Sequence, residues 1–106
     1  MKKILLVLFM VMGAISTSAQ YRVDRLVTAG RSALYYEDFV LSIKYFNLAI
    51  GAKPYLYEPW YYRSVAKFNL DDFTGAECDA SEALPLYAYI NDIYEWRALC
   101  RSSHWW

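Results

Sequence analysis

Apolar residues recur at intervals of three and four along most of this chain, the spacing of helices with one buried face. The first such stretch places Leu26, Ala29, Gly30 and Ala33 on one side and predicts a helix over residues 24–36. No window alternates apolar and polar residues with the period of a strand. The pattern therefore predicts an all-α fold, with about five helices after the first twenty residues.

Residues that favour helix ends separate the predicted helices. Asp38 can cap a second helix, because its carboxylate can accept a backbone N–H from the first turn. Proline disfavours a helical conformation in the residue before it, yet its missing N–H is harmless in a first turn. The remaining boundaries are predicted at the segment 51–54, the Glu58-Pro59 start, the turn 69–72 with Asp71 or Asp72 as its cap, Pro85, and the Asn91-Asp92 start.

The same pattern of large and small residues returns every 34 positions. Arg63 and Arg97 coincide in this alignment. A period near 34 residues indicates helical hairpins that stack on one another. The other aligned sets are Leu26, Trp60 and Tyr94; Gly30, Ser64 and Ala98; Phe39 and Phe73; Ser42 and Ala76; Ala49 and Ala83; and Ile50 and Leu84.

These repeats resemble the tetratricopeptide repeat, a helix–turn–helix unit with a large and then a small residue in its first helix. The units cover about residues 23–56 and 57–90, with a partial third unit at 91–106. The resemblance implies antiparallel helical hairpins stacked as a short right-handed solenoid. The chain departs from the family pattern at Ala33, Lys67, Ala80 and Pro85.

The resemblance also implies a concave groove that binds a polypeptide partner without catalysis. Its surface would mix apolar, aromatic and acidic side chains with one arginine. It lacks the paired Lys and Asn with which some family members hold a C-terminal carboxylate, which disfavours that type of ligand. The implied groove residues are Asp24, Val27, Arg31, Leu34, Tyr35, Glu58, Tyr61, Val65, Phe68 and Asn69, with Asp92, Glu95 and Leu99 in the third unit.

Recurring small residues predict where helices approach closely, because only short side chains allow such crossings. Ala49 and Ala83 are expected where the second helix of one unit meets the first helix of the next. The predicted crossings within the two hairpins pair Gly30 with Ser42 and Ser64 with Ala76.

The first twenty residues follow a different pattern from the repeats. An apolar run over residues 4–15 follows two lysines and precedes four small residues. This pattern predicts a secretory signal peptide over residues 1–19, cleaved after Ala19, and a helical domain over residues 20–106. The run is shorter than a typical membrane span, although an uncleaved anchor is the alternative. We therefore expect a periplasmic or extracellular protein with no stable membrane span in its mature chain.

The net charge of the chain bears on which partners are expected. The full chain has 11 basic and 11 acidic residues, and cleavage would remove Lys2 and Lys3 but no acid, leaving 9 basic residues and a net charge of −2. No basic stripe remains to neutralise phosphates, which disfavours a nucleic-acid partner.

The sequence offers little catalytic or metal-binding chemistry. Adjacent acids in the two inner turns are explained as helix caps, and Ser102-Ser103-His104 cannot hold a nucleophile and base in position. His104 is the only histidine and has no ligand spacing with the cysteines, so no metal site or cofactor is predicted. Cys78 and Cys100 lie on helices that should be neighbours, which leaves both a disulfide and free thiols open.

The 20 aromatic residues, of which 11 are tyrosines, raise a second functional hypothesis. Exposed aromatic rings can stack on sugars, so glycan binding is the alternative to polypeptide binding. The simpler interpretation is that most rings fill the hairpin core. The tyrosines concerned are Tyr21, Tyr35, Tyr36, Tyr55, Tyr57, Tyr61 and Tyr62.

The last predicted helix leaves an apolar side without a following helix. Three explanations stay open: a longer array of which this is the front, tail tryptophans that fold back, or a partner that covers the face, including a second copy. Contiguous apolar surface favours association. We expect self-association through the C-terminal helix, by way of Tyr94, Trp96, Leu99, Trp105 and Trp106.

Overall fold

The structure is a computed structural model that describes residues 22–86 and 91–103, all of which fall into helices and short connections. No strand forms within these two ranges, so the predicted all-α class is confirmed. The helices are α1 over residues 22–35, α2 at Phe39–Ala52, α3 at Tyr57–Asn69, α4 at Phe73–Ala83 and α5 at Asn91–Ser103, with a 3₁₀ turn at Leu84–Leu86 after α4.

Each helix from α2 onward packs against the next one along the chain: α2 on α3, α3 on α4, and α4 on α5. This consecutive packing is the arrangement of a helical-hairpin solenoid, as the repeat pattern predicted. The described part of α1 begins two residues earlier and ends one residue earlier than the helix predicted over residues 24–36.

The two inner turns repeat each other at the level of single hydrogen bonds. An Oδ1 of Asp38 accepts the N–H of Leu41 at 3.2 Å, and an Oδ1 of Asp72 accepts the N–H of Gly75 at 3.0 Å. The preceding residues, Glu37 and Asp71, both have positive φ, at 62° and 63°. Because these positions are 34 residues apart, the sequence period is also a period of backbone structure. Asp38 is confirmed as a cap, and Asp72 is the second one.

Small residues allow the helices to approach closely, but the two hairpins use them differently. In the second hairpin the Oγ of Ser64 donates to the carbonyl of Ala76 at 2.6 Å, which confirms that predicted crossing. In the first, a Cβ added to Gly30 would lie 2.5 Å from the ring of Phe46. Gly30 is therefore small to admit Phe46, whereas the buried Ser42 donates back to the carbonyl of Phe39 within α2.

Ala49 and Ala83 are both fully buried and lie at contacts between elements. Ala49 packs with Val23 and Val27 of α1, and Leu56 just before α3 joins this cluster. Ala83 packs with Leu84 and with Ile93 of α5, together with aromatic residues of α3. The alanine of α4 thus lies where the second unit meets the third, as predicted.

Three sequence-based predictions concern residues outside the described ranges. These are the signal peptide over residues 1–19, the role of His104, and the fold-back of Trp105 and Trp106. Within the described ranges, none of the helices is both long and apolar enough to cross a membrane.

Candidate interaction groove

A cleft of about 350 Å³ lies between α1 and the first turn of α3. Four of its residues belong to the set that the repeat resemblance places on a concave surface: Asp24, Val27, Arg31 and Glu58. The structure therefore brings together predicted groove positions from two successive units. The full lining of this α1–α3 cleft is Asp24, Val27, Thr28, Arg31, Leu56, Tyr57, Glu58 and Pro59.

The α1–α3 cleft carries two carboxylates and one guanidinium on an apolar floor. The Arg31 guanidinium lies 5.1 Å from the ring centroid of Tyr62 on α3, so a cation–π contact holds it at the cleft. Val27 was predicted to line the groove, but only 9% of it is exposed, because it packs in the core around Ala49. Recognition in this cleft would depend on its charges and aromatic wall more than on Val27.

A continuous row of aromatic rings extends from the first hairpin to the last helix. Successive ring centroids are 6.0, 5.4, 6.3, 4.9 and 5.1 Å apart, within the range of favourable ring contacts. Two predicted groove residues, Tyr61 and Phe68, belong to it and are half-buried by these contacts. The row, in order, is Phe46, Tyr62, Tyr61, Trp96, Phe68 and Phe73.

Tyr61 of α3 also contacts the ring of Trp96 on α5, and its hydroxyl lies in a partly buried environment. Burial raises the pKa of the Tyr61 hydroxyl, and the neighbouring Tyr62 and Asp92 raise it further. The hydroxyl therefore stays protonated at neutral pH and remains a hydrogen-bond donor.

Four other predicted groove residues do not line the α1–α3 cleft. Tyr35 is 81% exposed and its ring meets that of Tyr36 edge to face at 5.3 Å. Asn69 is exposed, and its Nδ2 donates to the carbonyl of Val65 within α3. Leu34 and Val65 are half-buried. These residues lie toward the inner turns, away from the cleft.

The third-unit positions of the implied surface lie on α5. Asp92, Glu95 and Leu99 are all exposed there. Trp96, which was expected on the outer apolar side, is instead half-buried against Tyr61 and Phe68. Its indole Nε1 donates to the Oγ of Ser64 at 2.7 Å, so Trp96 links α5 to α3 rather than offering its ring to another molecule.

A polar cluster formed by side chains of α2, α3 and α4 was not predicted from the sequence. Asp79 of α4 accepts two hydrogen bonds from Arg63, each at 2.8 Å, and forms an ion pair with Lys67 at 3.0 Å. The Nη1 of Arg63 also donates to the Oδ1 of Asn47 on α2 at 2.9 Å. The recurrence of Arg63 at Arg97 is the one sequence signal that could have identified this position as important.

The two cysteines, left open as a disulfide pair, are free. Cys78 is exposed and Cys100 is buried, where burial raises the pKa of its thiol and a hydrogen bond with Ser64 partly offsets that shift. Over the described ranges, no three His, Cys, Asp or Glu side chains are grouped closely enough to hold a metal ion.

Comparison with protein-family models, curated proteins and solved structures finds no match to this chain. The groove is therefore interpreted from its own geometry and from the internal repeat.

Proposed function

We propose that this chain is a tetratricopeptide-type interaction module that binds an extended polypeptide in the α1–α3 cleft. The observation that carries the proposal is that the cleft gathers Asp24, Arg31 and Glu58 beside apolar and aromatic side chains. Clefts with an apolar lining and a few convergent polar groups are the usual binding sites of proteins. The function is binding, without a catalytic step.

The charges in the cleft define the chemistry of the peptide. Two carboxylates favour a basic side chain, and the Arg31 guanidinium favours a carboxylate or backbone carbonyl next to it. Tyr62 keeps Arg31 in place, which lowers the entropy lost when a ligand binds. The cleft therefore suits a segment that combines Lys or Arg with an apolar residue. Export, as predicted from residues 1–19, would place this surface in the periplasm or outside the cell.

Peptide selection followed by binding measurements tests this proposal. Peptides selected from a random library on the full chain should be enriched in basic and apolar residues. Replacing Asp24 by Asn and Glu58 by Gln should weaken their binding about tenfold, the loss expected for charge-assisted hydrogen bonds. Glu82→Gln is the matched control, because Glu82 is exposed on α4 outside the cleft. Equal affinity for the double variant and the parent would refute the proposed cleft.

Glycan binding is the second candidate, and one observation favours it. Tyr35 and Tyr36 are 81% and 76% exposed and form an edge-to-face pair, a surface on which a sugar ring could stack. The rings of the aromatic row do not add to this surface, since they are occupied by contacts with one another. An oligosaccharide screen decides between glycan and peptide binding: binding that is lost in Tyr35→Ala but kept in Asp24→Asn would support the glycan hypothesis.

A further inference from the structure

The last helix, α5, is the repeat counterpart of α3, with an offset of 34 residues. Both helices bury equivalent positions: Pro59 and Ala66 are fully buried on α3, and their counterparts Ile93 and Cys100 are buried on α5. The two helices therefore bury the same side.

On α3 the other side is covered by α4. Ser64 is fully buried there and donates to the backbone of α4. Arg63 and Lys67, one turn apart, both contact the carboxylate of Asp79 on α4. Two cations and one small residue on α3 thus receive a helix that carries an acid between alanines.

The same arrangement exists on α5, in what we call its outer face: Tyr94, Arg97, Ala98 and Arg101. Ala98 is exposed, and Tyr94 is 49% exposed. The Arg97 guanidinium lies 5.1 Å from the Tyr94 ring centroid, as that of Arg63 lies 4.9 Å from the ring of Trp60.

The cations of the outer face differ from those of α3 in their partners. Arg101 pairs with Glu77 while its side chain stays 59% exposed. Within the described ranges, no carboxylate forms an ion pair with Arg97. The outer face therefore repeats the α3 surface that receives Asp79, without a described helix on it.

We propose that the outer face of α5 is a docking site for an acidic amphipathic helix of a partner polypeptide. Its carboxylate lies between Arg97 and Arg101 as Asp79 lies between Arg63 and Lys67, and its small residues pack on Ala98. The proposal rests on the internal repeat and on charge complementarity, and it does not depend on the function of the α1–α3 cleft.

A second copy of this chain fits the outer face poorly. The helix with the required chemistry, α4, already has its acid and its alanines buried. Two outer faces in contact would oppose arginine to arginine, because 3.6 residues per turn place Glu95 on the opposite side of α5 from Arg97. Like charges in an interface are unfavourable. Between a second copy and another polypeptide, the outer face therefore favours a different polypeptide with an exposed acid.

The test uses a labelled peptide with the sequence of residues 72–86, which contains the α4 sequence. A short helix is marginal in water, so the peptide is cross-linked between positions 74 and 78, both exposed in α4. It is titrated into the full chain by fluorescence anisotropy. A matched peptide with Asn at the position of Asp79 should bind about tenfold more weakly, the effect of losing charge-assisted hydrogen bonds.

Variants of the full chain assign the binding to the outer face. The double variant Arg97→Gln, Arg101→Gln should weaken binding of the Asp peptide about tenfold and change binding of the Asn peptide little. The Asn peptide already lacks the carboxylate that would pair with these arginines. Lys44→Gln, at an exposed lysine of α2, is the charge-matched control and should leave binding unchanged.

Three outcomes would overturn the proposal. One is the absence of saturable binding of the Asp peptide. Another is a loss of selectivity, seen either as equal affinity of the chain for the two peptides or as weakening of the Asp peptide by Lys44→Gln as large as that by the double variant. The third is a peptide-independent dimer, seen by sedimentation, that dissociates in the Arg97, Arg101 double variant and would assign the outer face to a second copy.

Discussion

Asp79 is the residue on which the polar contacts of the fold converge. Its side chain is 5% exposed, yet both oxygens are paired, one with Arg63 and the other with Arg63 and Lys67. A buried carboxylate is costly unless it is hydrogen-bonded to paired cations, and the two-point contact with a guanidinium is the strongest such geometry. Since Arg63 also donates to Asn47, one arginine connects α2, α3 and α4.

Removing the Asp79 carboxylate should destabilise the fold strongly. Asp79→Ala leaves two partly buried cations without their anion, and we expect a loss of about 3 kcal/mol in the free energy of unfolding. Asp79→Asn keeps an acceptor and should lose about 1–2 kcal/mol. Urea unfolding measures both. Glu82→Ala, exposed on the same helix, should stay within about 0.5 kcal/mol of the parent, and an Asp79→Ala midpoint equal to that control would contradict the buried-pair argument.

At the scale of elements, the ends of the helices could be predicted from neighbouring residues. The rotation of each helix about its axis, which decides which side is buried, could not. Asp38 and Asp72 could be identified as helix caps because each carboxylate accepts the N–H of a residue only three positions later in the chain. Trp96 could not be placed in this way. Whether it faces outward or toward Ser64 depends on the rotation of α5 against α3, which involves residues 32 positions apart.

The candidate groove was predictable to a similar extent. The resemblance to the tetratricopeptide repeat implied a common surface for Asp24, Arg31 and Glu58, and all three line the α1–α3 cleft. The period could not show that Val27 is taken into the core by Ala49, or that Phe46 fills the space beside Gly30. These contacts depend on side-chain volumes across helices, which a sequence alignment within one chain does not contain.

The contacts between elements should be sensitive to the volume of single alanines. Ala49→Leu and Ala83→Leu each insert a larger side chain at a position where the alanine is fully buried. Overpacking of this kind costs roughly 1–3 kcal/mol in the free energy of unfolding. Urea midpoints of both variants measure the loss. Ala52→Leu, exposed at the end of α2, is the matched control and should change stability by less than about 0.5 kcal/mol. Unchanged midpoints for Ala49→Leu and Ala83→Leu would mean that these contacts are looser than described.

At the scale of the whole molecule, most contacts among the described helices join helices that are consecutive in the chain, and Trp96 adds a link from α5 to α3. α3 is packed between α2 and α4, whereas α5 is packed against α4 on one side and leaves its outer face without a described helix. In arrays of this kind, stability is close to the sum of each unit and its interfaces with adjacent units. Occupation of the outer face would therefore stabilise α5 first, and its effect on α1 would be small.

The helical stack should be independent of the first nineteen residues. Their pattern of two lysines, an apolar run and small residues predicts a signal for export, and the repeat that organises the stack begins only after them. A chain that begins at Gln20 should therefore give the same helical circular dichroism and the same melting temperature as the full chain.

Mass spectrometry of protein exported by a bacterial host should find Gln20 at the N-terminus. Ala19→Lys, which removes the small residue at the predicted cleavage site, should block processing without unfolding the domain. A retained Met1 in the exported parent, or a lower melting temperature for the chain from Gln20, would show that residues 1–19 belong to the folded protein.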